Sequence, residues 1–124
     1  MNHFIIDSDD FGIDKLEWSI ENNLLSLKIF GSEERFNSLC EAENSKWLWA
    51  LYAPEIYFYD IPLKKSHTIK LNDKLAQSCD FALYMMSHND IDGKMTIKDN
   101  IVSIVGNVYI MGKTYSLDVE ASFE

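Results

Sequence analysis

The chain has 124 residues, 47% of them hydrophobic, 13% aromatic and 25% charged. That balance excludes a disordered or low-complexity polypeptide and predicts one globular domain over residues 1–124. Eleven Lys and Arg against twenty Asp and Glu give a net charge of −9, a field that disfavours nucleic acid and anionic membranes and speeds encounter with a basic partner. Cys40 and Cys79 are too few for a disulfide framework and lack metal-ligand spacing, so they are read as reduced thiols.

Phe4, Ile5 and Ile6 predict a short strand, followed by a carboxylate-rich turn over Asp7, Asp9, Asp10 and Gly12. A hairpin then has a self-consistent register. With Asn22-Asn23 as a two-residue type I′ loop, Ile20 faces Leu25, Trp18 faces Leu27 and Leu16 faces Ile29, which makes one apolar, inward side. On the other side Glu17 faces Lys28 and Ser19 faces Ser26. Gly31 closes the second strand. Ser32 reads as a helix N-cap with Glu33 and Glu34 in the first turn, and Phe36, Leu39 and Cys40 at i, i+3 and i+4 predict one short amphipathic helix near 32–44.

Residues 46–63, KWLWALYAPEIYFYDIPL, are the most aromatic part of the chain. Trp47, Trp49 and Leu51 alternate with Leu48, Ala50 and Tyr52; beyond Ala53-Pro54, Ile56 and Phe58 alternate with Tyr57 and Tyr59. Pro54 and Pro62 each remove a ladder donor and so mark strand ends or an edge. Because both faces are apolar, the segment is either covered on two sides or holds one face for a partner. A short strand is expected around Thr68 to Leu71 and another over residues 79–86, CDFALYMM. His88 to Lys94, HNDIDGK, reads as a turn.

The C-terminal stretch predicts a meander. A turn at Asp99-Asn100 pairs Ile97 with Val102. A II′ loop at Gly112-Lys113 pairs Ile110 with Tyr115, Val108 with Leu117, Gly106 with Val119 and Ile104 with Ala121, all on one apolar face. Ser103, Asn107, Thr114, Ser116, Asp118, Glu120 and Ser122 fall on the opposite, solvated face. The expected fold is therefore mainly β (β-rich α+β), with antiparallel hairpins and a C-terminal meander forming a sandwich or partly open barrel.

Motifs for chemistry are weak. Asp90-Ile91-Asp92-Gly93 lacks the ligand positions and flanking helices of a calcium loop, and Asp10-Phe11-Gly12 has no accompanying kinase motif. His3, His67 and His88 stand in no recognisable arrangement with a nucleophile, so no catalytic residue, cofactor or metal is assigned. An enzymatic reading would need a His beside a carboxylate in a cleft. The N-terminal segment lacks the basic and apolar regions of a signal peptide, and no apolar run approaches the roughly 20 residues of a membrane helix, so a cytoplasmic location is expected.

Across its full length, an acidic chain built of hairpins around WLWALY and FALYMM segments resembles, by type, the bacterial immunity proteins that neutralise polymorphic toxins of contact-dependent growth inhibition and related systems. The resemblance implies tight binding of a cognate toxin domain, often a basic nuclease whose active site is occluded, with no direct contact to nucleic acid. On that reading Asp9, Asp10, Glu33 and Glu34 steer the partner, and Trp49, Tyr57 and Tyr59 anchor it. Two alternatives are a small-ligand-binding β-barrel or sandwich lined by the aromatic segment, and a homodimeric module joined through an unpaired edge near Pro54 or through the two-faced aromatic strands.

Overall fold

The computed structural model describes residues 2–42, 53–62, 66–70, 79–82, 90–110 and 112–123. Among these residues ten strands and one helix follow in order: β1 (His3–Ile6), β2 (Asp9–Asp10), β3 (Lys15–Glu21), β4 (Leu24–Phe30), α1 (Glu33–Glu41), β5 (Glu55–Pro62), β6 (Ser66–Lys70), β7 (Cys79–Ala82), β8 (Asp90–Lys98), β9 (Ile101–Ile110) and β10 (Lys113–Ser122). They form two antiparallel sheets, a six-stranded one in the order β2-β1-β10-β9-β8-β6 and a four-stranded one in the order β3-β4-β5-β7. The result is a β-sandwich with one short helix.

Local turn chemistry sets most of the registers. Asn22 and Asn23 adopt φ of 53° and 61°, and Asp99 and Asn100 adopt 52° and 62°, the paired left-handed conformations of a type I′ loop that Asn and Asp tolerate. The predicted pairs Ile20↔Leu25, Glu17↔Lys28, Trp18↔Leu27 and Leu16↔Ile29 all form, as does Ile97↔Val102.

The last hairpin differs from its predicted register. Lys113 pairs with Ile110, Tyr115 with Val108, Leu117 with Gly106 and Val119 with Ile104, so the loop ends at Gly112 rather than beginning there. Gly112 has φ of 80° and supplies a left-handed residue at the second loop position instead of the first. Moving a two-residue loop by one position changes the sum of each paired number by two, which preserves parity. The faces therefore survive: Ile104, Val108, Leu117, Val119 and Ala121 are buried, and Thr114, Ser116, Asp118 and Ser122 are exposed.

The segment HNDIDGK is not a turn from Asp90 onward. Strand β8 begins at Asp90 and runs through Lys98, pairing Asp92 with Asn107 and Gly93 with Gly106. The two glycines let the strands pinch: a Cβ on Gly106 would lie 2.0 Å from the Asp92 carbonyl oxygen, and one on Gly93 2.3 Å from that of Val105. This close approach, invisible to a turn reading of Asp-Gly, is what Gly provides inside a strand. The acid-rich N-terminal turn also differs in part, since it contains the two-residue strand β2 paired with β1. The strand expected over 79–86 is present as β7 at Cys79–Ala82; its remainder lies outside the described residues, as do Trp47, Trp49 and Tyr52.

The core fills the space between the sheets. Leu25, Leu27, Ile29, Ile56, Phe58 and Ile61 from the four-stranded sheet and Phe4, Ile6, Val102, Ile104, Val108, Leu117 and Val119 from the six-stranded sheet are each at most 2% exposed. Helix α1 packs at the sandwich margin. Its cap is the predicted one, with the Ser32 side chain accepting from Arg35 N at 3.2 Å, and buried Phe36 stacks on buried Phe11 with ring centroids 6.3 Å apart.

Candidate interaction face

The outward side of the four-stranded sheet follows from its registers. Lys15 pairs with Phe30 and Phe30 with Glu55, while Glu17 pairs with Lys28 and Lys28 with Tyr57. These residues share the face opposite the buried Leu25, Leu27 and Ile29, because side chains alternate along a strand. The aromatic rings on it form one group. Phe30 meets Tyr57 edge-on at 6.0 Å between centroids, and Tyr57 is 6.5 Å from Tyr59. Tyr59 is 38% exposed.

Cations already sit on this surface. Lys15 Nζ is 5.5 Å from the centroid of Phe30 and Lys28 Nζ is 5.8 Å from that of Tyr57, distances at which a ring quadrupole attracts positive charge. Lys15 also pairs with Glu17 at 2.7 Å. Its ammonium is held above the ordinary lysine pKa by the hydrogen bond to Glu17, and Glu17 is held below the ordinary carboxylate range by the same bond. Both groups are in solvent, so the pair contributes little to stability.

Beside the rings lies an open recess of about 170 Å³ lined by Asp14, Lys15, Phe30, Glu33, Ala53 and Glu55, among others. Three carboxylates and one ammonium make it acidic. Glu33 Oε1 accepts a hydrogen bond from Ala53 N at 3.1 Å, which ties the first turn of α1 to the start of β5. Glu55 Oε1 accepts from the Tyr57 hydroxyl. Burial, and then the nearby Glu33 charge, raise the Glu55 pKa above the ordinary glutamate value. Phe30 and three carboxylates give the recess a lining that attracts positive charge, of which Lys15 already supplies one ammonium.

The predicted interface residues divide into three groups. Tyr57, Tyr59 and Glu33 come together on or beside this face, and Glu34 is exposed in the same first helical turn as Glu33. Asp10 is engaged within the fold, where its Oδ1 accepts from Gly12 N at 2.8 Å and Phe4 N at 3.2 Å, and its Oδ2 pairs with Arg35 Nη1 at 3.3 Å. Asp9 is half-buried in β2. Asp7 is likewise engaged, its Oδ1 accepting from Ser116 N at 2.9 Å. Trp49 lies outside the described residues.

Phe30 and Glu55 escape the sequence reading. The Asn22-Asn23 register, extended by two residues, pairs Lys15 with Phe30 on the otherwise polar face, so an outward Phe is available from the alternation itself. The contact between Glu33 and Ala53 joins segments far apart in sequence and has no such signal.

On the other sheet, His3 Nε2 lies 2.9 Å from Asp118 Oδ1. Their side chains are 25% and 55% exposed, respectively. Cys40 is half-buried and its thiol pKa is raised by burial and then by Glu33 and Glu41. Among the described residues no group of three or more His, Cys, Asp or Glu is placed to hold a metal ion, and no helix is long and apolar enough to cross a membrane. Comparison with known proteins finds no family model, no curated protein and no solved structure that matches the chain.

Proposed function

We propose that this chain is a non-enzymatic cytoplasmic immunity protein that binds a basic toxin domain, in the manner of a nuclease inhibitor, and occludes its active site. The observation that carries the reading is the outward cluster of Phe30, Tyr57 and Tyr59 beside the acidic recess of Asp14, Glu33 and Glu55. Tyrosines with large contact area and a polar tip act as anchors. Carboxylates around them, within a chain of net charge −9, accelerate encounter with a cationic surface more than they tighten the complex. Of the acids expected to steer, we assign that role to Glu34, exposed beside this face, and to Glu33, which is exposed although it also accepts from Ala53 N. Asp10 is reassigned to holding β2 against α1.

The test uses the C-terminal domain encoded by the reading frame directly upstream, expressed in a bacterial host with and without this chain. The expected result is growth arrest relieved by this chain and a complex of the two purified proteins. In that complex, Tyr59→Ala speeds dissociation by about tenfold or more, the scale of a hot spot. Reversing Asp14 and Glu34 to Lys slows association at low salt and leaves it unchanged at high salt. Absence of both growth relief and complex would overturn the proposal.

A further inference from the structure

Among the described residues β3 is bordered by β4 alone, and six of its seven residues are exposed, Leu16 being half-buried. The direction of its backbone groups follows from its neighbours. Gly31 N donates to Pro54 O at 2.8 Å across the extension of the β4–β5 ladder, so odd-numbered residues of β4 turn their N–H and C=O groups toward β5. Even-numbered ones turn toward β3, because the groups alternate along an antiparallel strand. Their partners are Lys15, Glu17, Ser19 and Glu21. Leu16, Trp18 and Ile20 are thereby left with their N–H and C=O groups directed off the sheet edge.

The outer side of this strand carries the charges Lys15, Glu17 and Glu21, but the devices that would block pairing from within are missing. It has no proline, and its inner side carries only Leu16, Trp18 and Ile20, with no inward charge. Trp18 and Ile20 are each 43% exposed. The Trp18 ring is held at the rim by an edge-on contact with Phe123, 5.9 Å between centroids.

We propose that β3 is a dimer interface, at which a second copy of this chain pairs antiparallel with it about a two-fold axis at Trp18. Hydrogen-bond parity allows only registers in which even-numbered residues face even-numbered ones, and charge selects among these. Centring on Glu17 sets two like carboxylates against each other, and centring on Ser19 sets Glu17 against Glu21 twice. Centring on Trp18 sets Lys15 against Glu21 at both ends, Glu17 against Ser19, Leu16 against Ile20 and Trp18 against its own copy. Every residue of the strand then has a partner: apolar faces apolar on the inner side, and on the outer side Lys15 faces Glu21 at both ends while each Glu17 faces an uncharged Ser19. The two four-stranded sheets become one eight-stranded sheet, with both tyrosine faces on the same continuous side. This interface shares Lys15 with the acidic recess, but it rests on the strand edge and does not depend on the proposed toxin binding.

Sedimentation equilibrium of the full chain, up to about 1 mM to capture weak association, tests the proposal. The wild type is expected to form a monomer–dimer equilibrium. Lys15→Glu and Glu21→Lys are each expected to weaken the dimer about tenfold, since each turns two attractive cross-strand pairs into two repulsive ones. The double variant K15E/E21K should return to within about threefold of wild type, because the pairs are restored with their signs exchanged. Ile20→Lys, an inward charge at an exposed edge position, should abolish the dimer while circular dichroism still reports the folded sheet. A wild type that stays monomeric throughout would overturn the proposal, and so would a dimer indifferent to the single reversals or not rescued by the double one.

Discussion

The two strands of the first hairpin have the same alternating pattern and pair residue for residue, yet they meet different fates. In β4, Leu25, Leu27 and Ile29 are at most 1% exposed; directly opposite them in β3, Ile20 and Trp18 are 43% exposed and Leu16 is half-buried. Alternation determines which side chains share a face. Whether the face is covered depends on where the strand sits in its sheet, and among the described residues β3 sits at the border while β4 has a neighbour on each side.

The largest test of that contrast is a pair of truncations. Leu27→Ala should cost about 3 kcal/mol, as a cavity forms beneath a fully covered strand. Trp18→Ala, across from it, should cost less, about 2 kcal/mol, since 43% of that residue already meets solvent. Urea-unfolding midpoints at micromolar protein measure both. Equal losses would mean that β3 is covered in solution and the contrast is wrong.

A smaller effect sharpens the comparison by acting on both strands together. Asn23→Gly relieves the left-handed conformation at φ of 61° and should add about 0.5 kcal/mol, because glycine takes that conformation without a Cβ clash. The gap between the Leu27 and Trp18 variants should be unchanged in this background.

The smallest effect concerns the outer face. Burial raises the Glu55 pKa, so the folded state favours the neutral acid more than the unfolded chain does. The associated stability is fully present below the ordinary glutamate pKa and is lost as pH rises through the raised value. Glu55→Gln, which keeps an acceptor for Tyr57, should therefore raise the melting temperature slightly at neutral pH and leave it nearly unchanged in acid. A Tm difference that grew toward acid pH would contradict this sign.

The hairpin loops are legible in the sequence because a type I′ turn makes a local demand, positive φ at two adjacent residues, that Asn and Asp meet. The last hairpin shows the limit of that reading. Gly112 is recognisable as a turn residue but not by its loop position, since glycine satisfies either one, and the faces come out correctly only because the one-position shift preserves parity. At the candidate site, alternation places Tyr57 and Tyr59 on the face opposite Ile56 and Phe58 but does not determine which of the two faces is covered, because both are apolar. The acids are harder to sort. A run such as Asp7, Asp9 and Asp10 carries no local mark that separates a solvated carboxylate from one that accepts backbone N–H groups, and Asp7 and Asp10 prove to be of the second kind.

The amino-acid order alone determined the strand faces, two tight loops, the helix cap at Ser32 and the overall acidity, because each depends on interactions within a turn or along a single strand. Tertiary structure decided which strands lie at borders, which acids are tied down, and that Glu33 and Glu55 share a recess with Phe30. Those outcomes depend on segments distant in the chain meeting in space, and burial is a property of the neighbour rather than of the residue.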